Sequence, residues 1–228
     1  MEFHHPIMAA PMAGGPSSTA LARAVASTGA MGFLAGGGKT AAQVTQDYRS
    51  VADAGRVGVN LFVPDVANTA VDPVASRQRR AEQLTEFREK LLPFAERLGV
   101  DLPTVEQAGE NVTDDWDAKL HAAIEWPIVS FTFGLPAPAV FEHLHGSNTQ
   151  VGVTVTSVAE ARNAVDHGAD FLVVQGPEAG GHRSVHDPQA DPEDIPLLDL
   201  LDAVDDVVDI PFVAAGGIIT PEQVLQVQ

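Results

Sequence analysis

Short apolar runs recur along the chain, and most of them are followed by glycine and then by residues that favour the start of a helix. They lie at residues 6–10, 31–35, 57–63, 128–133, 150–155, 170–175 and 211–215. None alternates strictly between apolar and polar positions, which is typical of strands buried on both faces of a parallel sheet. These runs are therefore predicted to be parallel strands, and the helices between them predict repeated βαβ units.

Capping residues mark where several of the predicted helices begin. Thr40 with Gln43, and Ser157 with Glu160, have the spacing of a capping box, in which side chains and backbone amides bond reciprocally. Thr220 is followed by Pro221, which suits the first position of a helix. Each of these signals follows a predicted strand, as a βα unit requires.

Two architectures accommodate these units: an open doubly wound sheet, or a (β/α)8 TIM barrel without its eighth strand. Glycines follow most of the runs, so loops rich in free backbone groups gather at the carboxyl ends of the strands, which favours the barrel. Only residues 221–228 follow the last cap. The sequence thus predicts an α/β TIM barrel that is incomplete at its C-terminal end, with about seven strands, in a fragment of a longer protein.

The interval between the third and fourth runs, residues 64–126, is richer in charged residues than the chain before it. Apolar residues within it recur at spacings of three and four, which predicts an amphipathic helix through Leu84, Phe87, Leu91, Phe94 and Leu98. We therefore expect residues 64–126 to form a helical insertion after strand three. Residues 1–63 and 127–228 are expected to form the barrel.

The composition limits the classes of function. With 13 Lys and Arg against 31 Asp and Glu, the formal net charge is −18, which disfavours nucleic acids and anionic membranes as partners. The absence of cysteine excludes disulfides and thiolate metal sites and suits a cytoplasmic location. Pro11, Pro16 and the pair Gly14 and Gly15 interrupt the uncharged N-terminal stretch, so no membrane span is predicted. The oligomeric state stays open, with a homodimer among the alternatives.

Residues 171–184 carry the most informative pattern. A predicted strand ends at Gln175, glycines then allow the backbone to approach a flat or anionic ligand closely, and His182 follows directly. An imidazole at a strand end suits proton transfer near neutral pH, so His182 is a candidate general acid or base. The alternative is a loop histidine held by Asp187 or Glu178.

Three further strings could bind a ligand at the same edge. Gly216 and Gly217 end the last predicted strand ahead of a helix, where free N–H groups suit a phosphate. Asn60 lies in a run predicted to be buried and needs hydrogen-bond partners, either from a ligand or from neighbouring backbone. The loop at residues 11–13 permits close approach of a planar ligand. The histidine spacings, at 143 and 145 and at 182 and 186, predict no metal site.

Five strings resemble the nitronate monooxygenase family, formerly called nitropropane dioxygenases, whose members are FMN-dependent TIM-barrel enzymes. The matching strings are residues 10–15, 32–36, 59–62, 176–182 and 214–218, in the family's order. The string Glu-Ala-Gly-Gly-His at 178–182 is the most specific. Related FMN-dependent enoyl-ACP reductases share it, so it indicates the superfamily better than the substrate.

The resemblance implies a function and a cofactor. It implies oxidation of alkyl nitronates by O2 to a carbonyl compound and nitrite, with FMN as cofactor and His182 as the catalytic residue. It also implies contacts to FMN from Pro11, Met12, Ala13, Asn60, Gln175, Gly180, Gly181, Gly216 and Gly217. Two alternatives stay open: an FMN-dependent reductase of enoyl thioesters that uses NADH, and a catalytically silent fragment. Without an eighth strand to complete the phosphate site, weak FMN binding is expected.

Overall fold

A computed structural model describes residues 5–64, 73–109 and 114–227. The chain forms two compact units. The first, called the sheet unit, comprises Met1–Val63 and Asp115–Gln228, and the second, called the helical unit, comprises Pro64–Asp114. The sheet unit takes in residues 115–126, and the predicted division into a barrel and an insertion over residues 64–126 stays a prediction.

The sheet unit contains parallel strands whose spatial order follows the chain. They are β1 (Gly32–Ala35), β2 (Val57–Phe62), β3 (Ile128–Thr132), β4 (Gln150–Val155), β5 (Phe171–Gln175) and β6 (Phe212–Ala215). Every neighbouring pair is parallel, and each connection between strands contains at least one helix or a helical segment. This topology is that of a partial TIM barrel, which confirms the predicted fold class.

The first predicted strand is shorter than expected. Residues 6–10 form a single parallel bridge between Met8 and Met31. Backbone hydrogen bonds of 2.9 and 3.0 Å flank it. Pro6 begins the run and Pro11 follows it, and neither has an N–H to donate, which limits the ladder on both sides. The predicted seven strands are therefore six regular strands and one bridge in the described part of the chain.

Helices fill the connections between the strands. They are α1 (Thr19–Ser27), α2 (Ala41–Arg49), α3 (Pro73–Leu98), α4 (Val105–Gly109), α5 (Trp116–Ala123), α6 (Pro138–His145), α7 (Val158–Asp166), α8 (Leu197–Asp205) and α9 (Pro221–Gln226). The capping box predicted at Thr40 is present, and Thr220 forms another with Gln223. Ser157 caps α7 by accepting the N–H of Glu160, but the carboxylate of Glu160 accepts the N–H and hydroxyl of Thr156 instead of completing a box.

One face of the sheet is uniformly apolar. Its side chains occupy alternate positions of the strands and pack with the surrounding helices into the main hydrophobic core. The strand residues in this core include Val57, Val59, Leu61, Val129, Phe131, Val151, Val153, Val155, Leu172 and Val174. The apolar face of α8 packs into the same core, where Leu197, Leu201 and Val204 are buried.

The opposite, inner face changes character along the strands. Towards the amino ends, Met31, Phe33, Ile128 and Phe171 form a second apolar cluster. Towards the carboxyl ends, the same face carries a set of polar side chains, called here the polar rim: Asn60, Ser130, Thr132, Thr154 and Gln175. Because the strands are parallel and in register, these polar groups gather at one edge of the sheet.

The helical unit consists of α3 and α4. Arg88 on α3 donates from Nε to Pro103 O at 3.0 Å and ties the connection between the helices to α3. The predicted amphipathic helix is present, but part of its apolar stripe lies at the surface, since Phe87, Phe94 and Leu98 are 58%, 54% and 69% exposed. Among the described residues, no helix is both long enough and apolar enough to cross a membrane.

The apolar cluster of the inner face depends on a close approach between Phe171 and Gly152, which are register partners on β5 and β4. A Cβ at residue 152 would overlap the Phe171 ring. We therefore expect Gly152→Ala to lower the free energy of unfolding by about 1–3 kcal/mol, as overpacking in a core does. Urea unfolding of the purified chain measures this change.

Gly146→Ala is the matched control, because its Cβ would make ordinary contacts of 3.4 Å with Glu142 O and His143 O. We expect that variant to unfold at the wild-type urea concentration. Equal midpoints for the two variants would show that the ring of Phe171 does not occupy the space above Gly152.

Candidate functional site

Asn60 joins three strands of the polar rim. Its Oδ1 accepts hydrogen bonds from Ser130 Oγ at 2.8 Å and from Thr132 Oγ1 at 2.9 Å. The hydroxyl oxygen of Thr132 lies 3.2 Å from that of Thr154. All four side chains are buried, so this network fixes the rim from β2 to β4.

The network uses only one end of the Asn60 amide. Both hydrogen bonds are made by Oδ1, and Nδ2 donates to none of the described residues. Neighbouring backbone does not hold the side chain, so that alternative from the sequence analysis is wrong. Because Nδ2 has no acceptor among the described residues, it is a donor that a ligand can use.

Gln175 holds the loop that follows β5, called here the histidine loop (residues 176–186). Its Oε1 accepts the N–H of Ser184 at 2.8 Å, and its Nε2 donates to the carbonyl of His182 at 3.2 Å. Arg183, in the same loop, also bonds to Gln175: its Nη1 donates to the Gln175 carbonyl at 2.6 Å. These three bonds hold the segment from His182 to Ser184 against the end of β5.

Two charged side chains fix the outer part of the histidine loop. Glu160 accepts the N–H of His186 at 2.7 Å while it also holds Thr156. The second guanidinium nitrogen of Arg183 donates to the carbonyls of Thr156 at 3.4 Å and Glu193 at 3.2 Å. Charge-assisted hydrogen bonds of this kind are stronger than those between neutral groups, so a loop without regular structure is held at many points.

The imidazole of His182 projects from this fixed backbone. The residue is exposed, and neither ring nitrogen bonds to a described residue. Asp187 accepts the N–H of Gln189, and Glu178 accepts the N–H of Leu197, so neither carboxylate holds His182 and that alternative is wrong. Both ring nitrogens are therefore available to exchange a proton or a hydrogen bond with a ligand.

The twin-glycine turn at Gly216 and Gly217 lies beside the histidine loop. Gln175 and Ala215 are register partners at the ends of β5 and β6. The φ angles of the two glycines are +127° and +63°, and a Cβ on Gly217 would lie 2.8 Å from Cβ of Glu178. The structure thus brings the turn and the loop together at one edge, as the sequence analysis expected.

Gly180, within the histidine loop, differs from the glycines of the turn. No atom lies within 4 Å of where its Cβ would project, and its φ is not in the left-handed region. Neither packing nor backbone conformation therefore requires glycine at this position. A ligand that approaches the backbone closely would require it.

The loop after the first bridge reaches the same edge. Ser17 fixes it by donating to Ala10 O at 2.6 Å and accepting the N–H of Met12 at 2.8 Å. The loop borders a pocket of about 200 Å³ that Ala35, at the end of β1, also lines. Ala35 is the register partner of Asn60, so residues 11–13 lie at the carboxyl end of the sheet.

Several residues of the site were not singled out from the sequence. Ser130, Thr132 and Thr154 complete the Asn60 network, and their signal was a hydroxyl at alternate positions of strands predicted to be buried. The role of Arg183 gave no signal, because its partners are backbone carbonyls that only the fold brings together.

Two of the other described histidines bond to nearby parts of the fold. His145 Nε2 lies 3.0 Å from Asp170 Oδ2, and His186 Nε2 lies 2.8 Å from the carbonyl of Thr154. Within residues 5–64, 73–109 and 114–227, the structure contains no group of three or more His, Cys, Asp or Glu side chains suited to hold a metal ion.

A parallel sheet in chain order, with an unbonded histidine and a twin-glycine turn at its carboxyl edge, defines a partial TIM barrel with a candidate ligand site. The sequence profile of the nitronate monooxygenase family matches residues 1–227. The chain belongs to the nitronate monooxygenase family.

Similar proteins agree with this assignment. A probable nitronate monooxygenase of Staphylococcus aureus (strain Newman) is 30% identical over 232 residues, which cover 99% of this chain and 61% of the relative. One from Staphylococcus haemolyticus is 31% identical and is covered over 62% of its length. This chain thus spans about three fifths of the curated relatives that it matches.

Solved structures show the same likeness. Nitroalkane oxidase from Streptomyces ansochromogenes superposes with a TM-score of 0.80 at 36% identity, over 99% of this chain and 62% of that one. FabK from Thermotoga maritima superposes with a TM-score of 0.67 at 22% identity, over 99% of this chain and 55% of that one, a likeness of fold alone.

Glu178 ties the histidine loop to α8. Pro196 precedes that helix and provides no side-chain cap, so the N–H of Leu197 would lack a partner without the carboxylate of Glu178, whose oxygens lie 3.1 and 3.2 Å away. We expect Glu178→Ala to speed hydrogen exchange at Leu197 and to lower the free energy of unfolding by about 1 kcal/mol.

Glu178→Gln is the matched control, because its amide oxygen can still accept the bond. Hydrogen exchange followed by mass spectrometry on the peptide that contains Leu197 compares the two variants. Protection in Glu178→Ala equal to that of the wild type would contradict the role of Glu178 as a cap.

Proposed function

We propose that this chain carries the flavin and substrate site of an FMN-dependent nitronate monooxygenase, which oxidises alkyl nitronates with O2 to a carbonyl compound and nitrite. The observation that carries the proposal is the position of His182. Its unbonded imidazole lies on a firmly held loop, at the same edge as the Asn60 amide and the twin-glycine turn. Membership of the nitronate monooxygenase family supports the choice of substrate class.

The residues at this edge fit FMN. The free Nδ2 of Asn60 offers a donor to a heterocyclic ring with acceptor atoms, and the space before Gly180 admits a flat group against the backbone. The residues that would hold the cofactor are Pro11, Met12, Ala13, Asn60, Gln175, Gly180, Gly181, Gly216 and Gly217. When bound, FMN supplies the transfer of electrons from substrate to O2.

The protein's own contribution would centre on His182. A nitronate carries its negative charge on the nitro oxygens, so a protonated imidazole nitrogen can donate to it. A neutral imidazole can instead accept the acidic α-proton of a nitroalkane. Because Gln175 holds the carbonyl of His182 and Arg183 is bonded to the end of β5, the imidazole would approach the substrate from a fixed backbone.

His182 can be tested by substitution in the protein reconstituted with FMN. We expect His182→Ala to keep the flavin absorbance spectrum and to lower kcat/KM for an alkyl nitronate by about a hundredfold or more, because a proton donor is lost. Oxygen consumption with propyl-2-nitronate measures the rate.

His143→Ala is the matched control, since His143 is an exposed histidine on α6. We expect it to retain the wild-type rate. Full turnover in His182→Ala would refute the assigned role, and failure of the wild-type chain to take up FMN would refute the proposal for this chain. Oxidation of NADH coupled to reduction of an enoyl thioester would favour the reductase instead.

Gly180 provides a test of the cofactor site that does not depend on turnover. Because no described atom faces a Cβ at this position, Gly180→Ala should unfold in urea at the wild-type midpoint without FMN. The added methyl group would occupy the space before the backbone, so we expect FMN affinity to fall by about tenfold or more. Quenching of flavin fluorescence on binding measures the affinity.

The proposal holds only if Gly180→Ala lowers the FMN affinity and leaves the urea midpoint unchanged. Wild-type FMN affinity in this variant would remove Gly180 from the cofactor site. Gly217 is less suited to this test, because a side chain there would also press on Glu178.

A further inference from the structure

The backbone leaves β3 in an unusual conformation. Phe133, the residue after the strand, has a φ of +67°, in the left-handed region that bulky residues rarely adopt. The surrounding structure must hold such a residue in place, and strain of this kind concentrates at functional sites. Phe133 therefore calls for a physical reason.

The left-handed turn changes the direction of the Phe133 side chain. Phe131, two residues earlier, is buried in the outer core, where its ring lies near those of Trp116 and Phe141. Strict alternation would send Phe133 to that same side. Instead its ring lies at the carboxyl edge of the sheet, between two other rings.

These rings form a row across the edge. The centroids of Phe62 and Phe133 are 4.8 Å apart at an interplanar angle of 67°, and those of Phe133 and His182 are 5.9 Å apart at 70°. Both pairs have the edge-to-face geometry that aromatic rings prefer. Phe62 is fixed from the other side, because it covers Gly37 so closely that a Cβ there would overlap its ring.

We propose that Phe133 is a positioning residue that orients the imidazole of His182, an inference that rests on the proposed role of that histidine. The hydrogen bonds of the histidine loop fix the His182 backbone but leave its side chain free to rotate. The ring contact with Phe133 is the one aromatic contact that the described residues make with His182. The strained turn at residue 133 thus serves to bring a flat, apolar surface against the imidazole.

Nuclear magnetic resonance of the purified chain tests the contact without turnover. In protein with labelled histidine, the ring C–H signals of His182 are assigned by their loss in His182→Asn. We expect Phe133→Leu to shift these signals, because the ring current of Phe133 is lost, and Phe133→Tyr to leave them near their wild-type positions.

Steady-state kinetics of the FMN-loaded protein test the consequence. A misdirected imidazole affects the reacting geometry more than binding, so we expect Phe133→Leu to lower kcat by about tenfold to a hundredfold with KM and FMN affinity little changed. Phe133→Tyr should restore most of the rate. Phe141→Leu, which removes a ring from the outer core, controls for general destabilisation and should keep the wild-type kcat.

Two results would overturn the inference. One is that Phe133→Leu leaves the His182 signals unmoved, and the other is that it leaves kcat unchanged. If the wild-type protein oxidises no nitronate, the proposed function fails, whereas the resonance shifts still decide whether Phe133 orients His182.

Discussion

The site depends on a change of polarity along one face of a parallel sheet. Both faces of such a sheet are interior, and the outer one is apolar throughout. On the inner face, Phe33, Ile128 and Phe171 form an apolar layer towards the amino ends of the strands. The polar rim begins directly next to that layer, towards the carboxyl ends. Parallel register then delivers every βα loop to the edge where the polar side chains are, so the position of the site follows from the strand pattern.

The histidine loop shows how the fold places a reactive group outside regular structure. Ordering each loop residue costs about 1–2 kcal/mol of backbone entropy. The compensation comes from Glu160 and Arg183, each of which makes three hydrogen bonds to groups on different segments. Both are charged and partly buried, which makes each bond stronger than a neutral one. Side chains thus hold a loop that has no regular backbone hydrogen bonds of its own.

Most of the fold could be predicted because its signals are local. Apolar runs, glycines and capping pairs such as Thr40 with Gln43 act over a few residues, and the structure confirms them. The run at residues 6–10 forms only a bridge and not the predicted strand, because Pro6 and Pro11 lack the N–H groups that a longer ladder would need. Contacts between residues that are distant in the sequence left no local pattern from which they could be predicted. Neither the hydroxyl partners of Asn60 nor the left-handed turn at Phe133 can be seen without the neighbouring strands.

The residues that the family resemblance implies fall into two groups. The fold itself needs the first group, whereas it has no use for the second. Gln175 is engaged at both ends of its amide, and Gly217 makes room for Glu178, so the structure accounts for both without a ligand. The Asn60 amide nitrogen and the imidazole of His182 make no hydrogen bond with a described residue, and no atom fills the space before Gly180. Groups that the fold positions but does not use are therefore the stronger argument for a ligand, and all three lie at the same edge of the sheet.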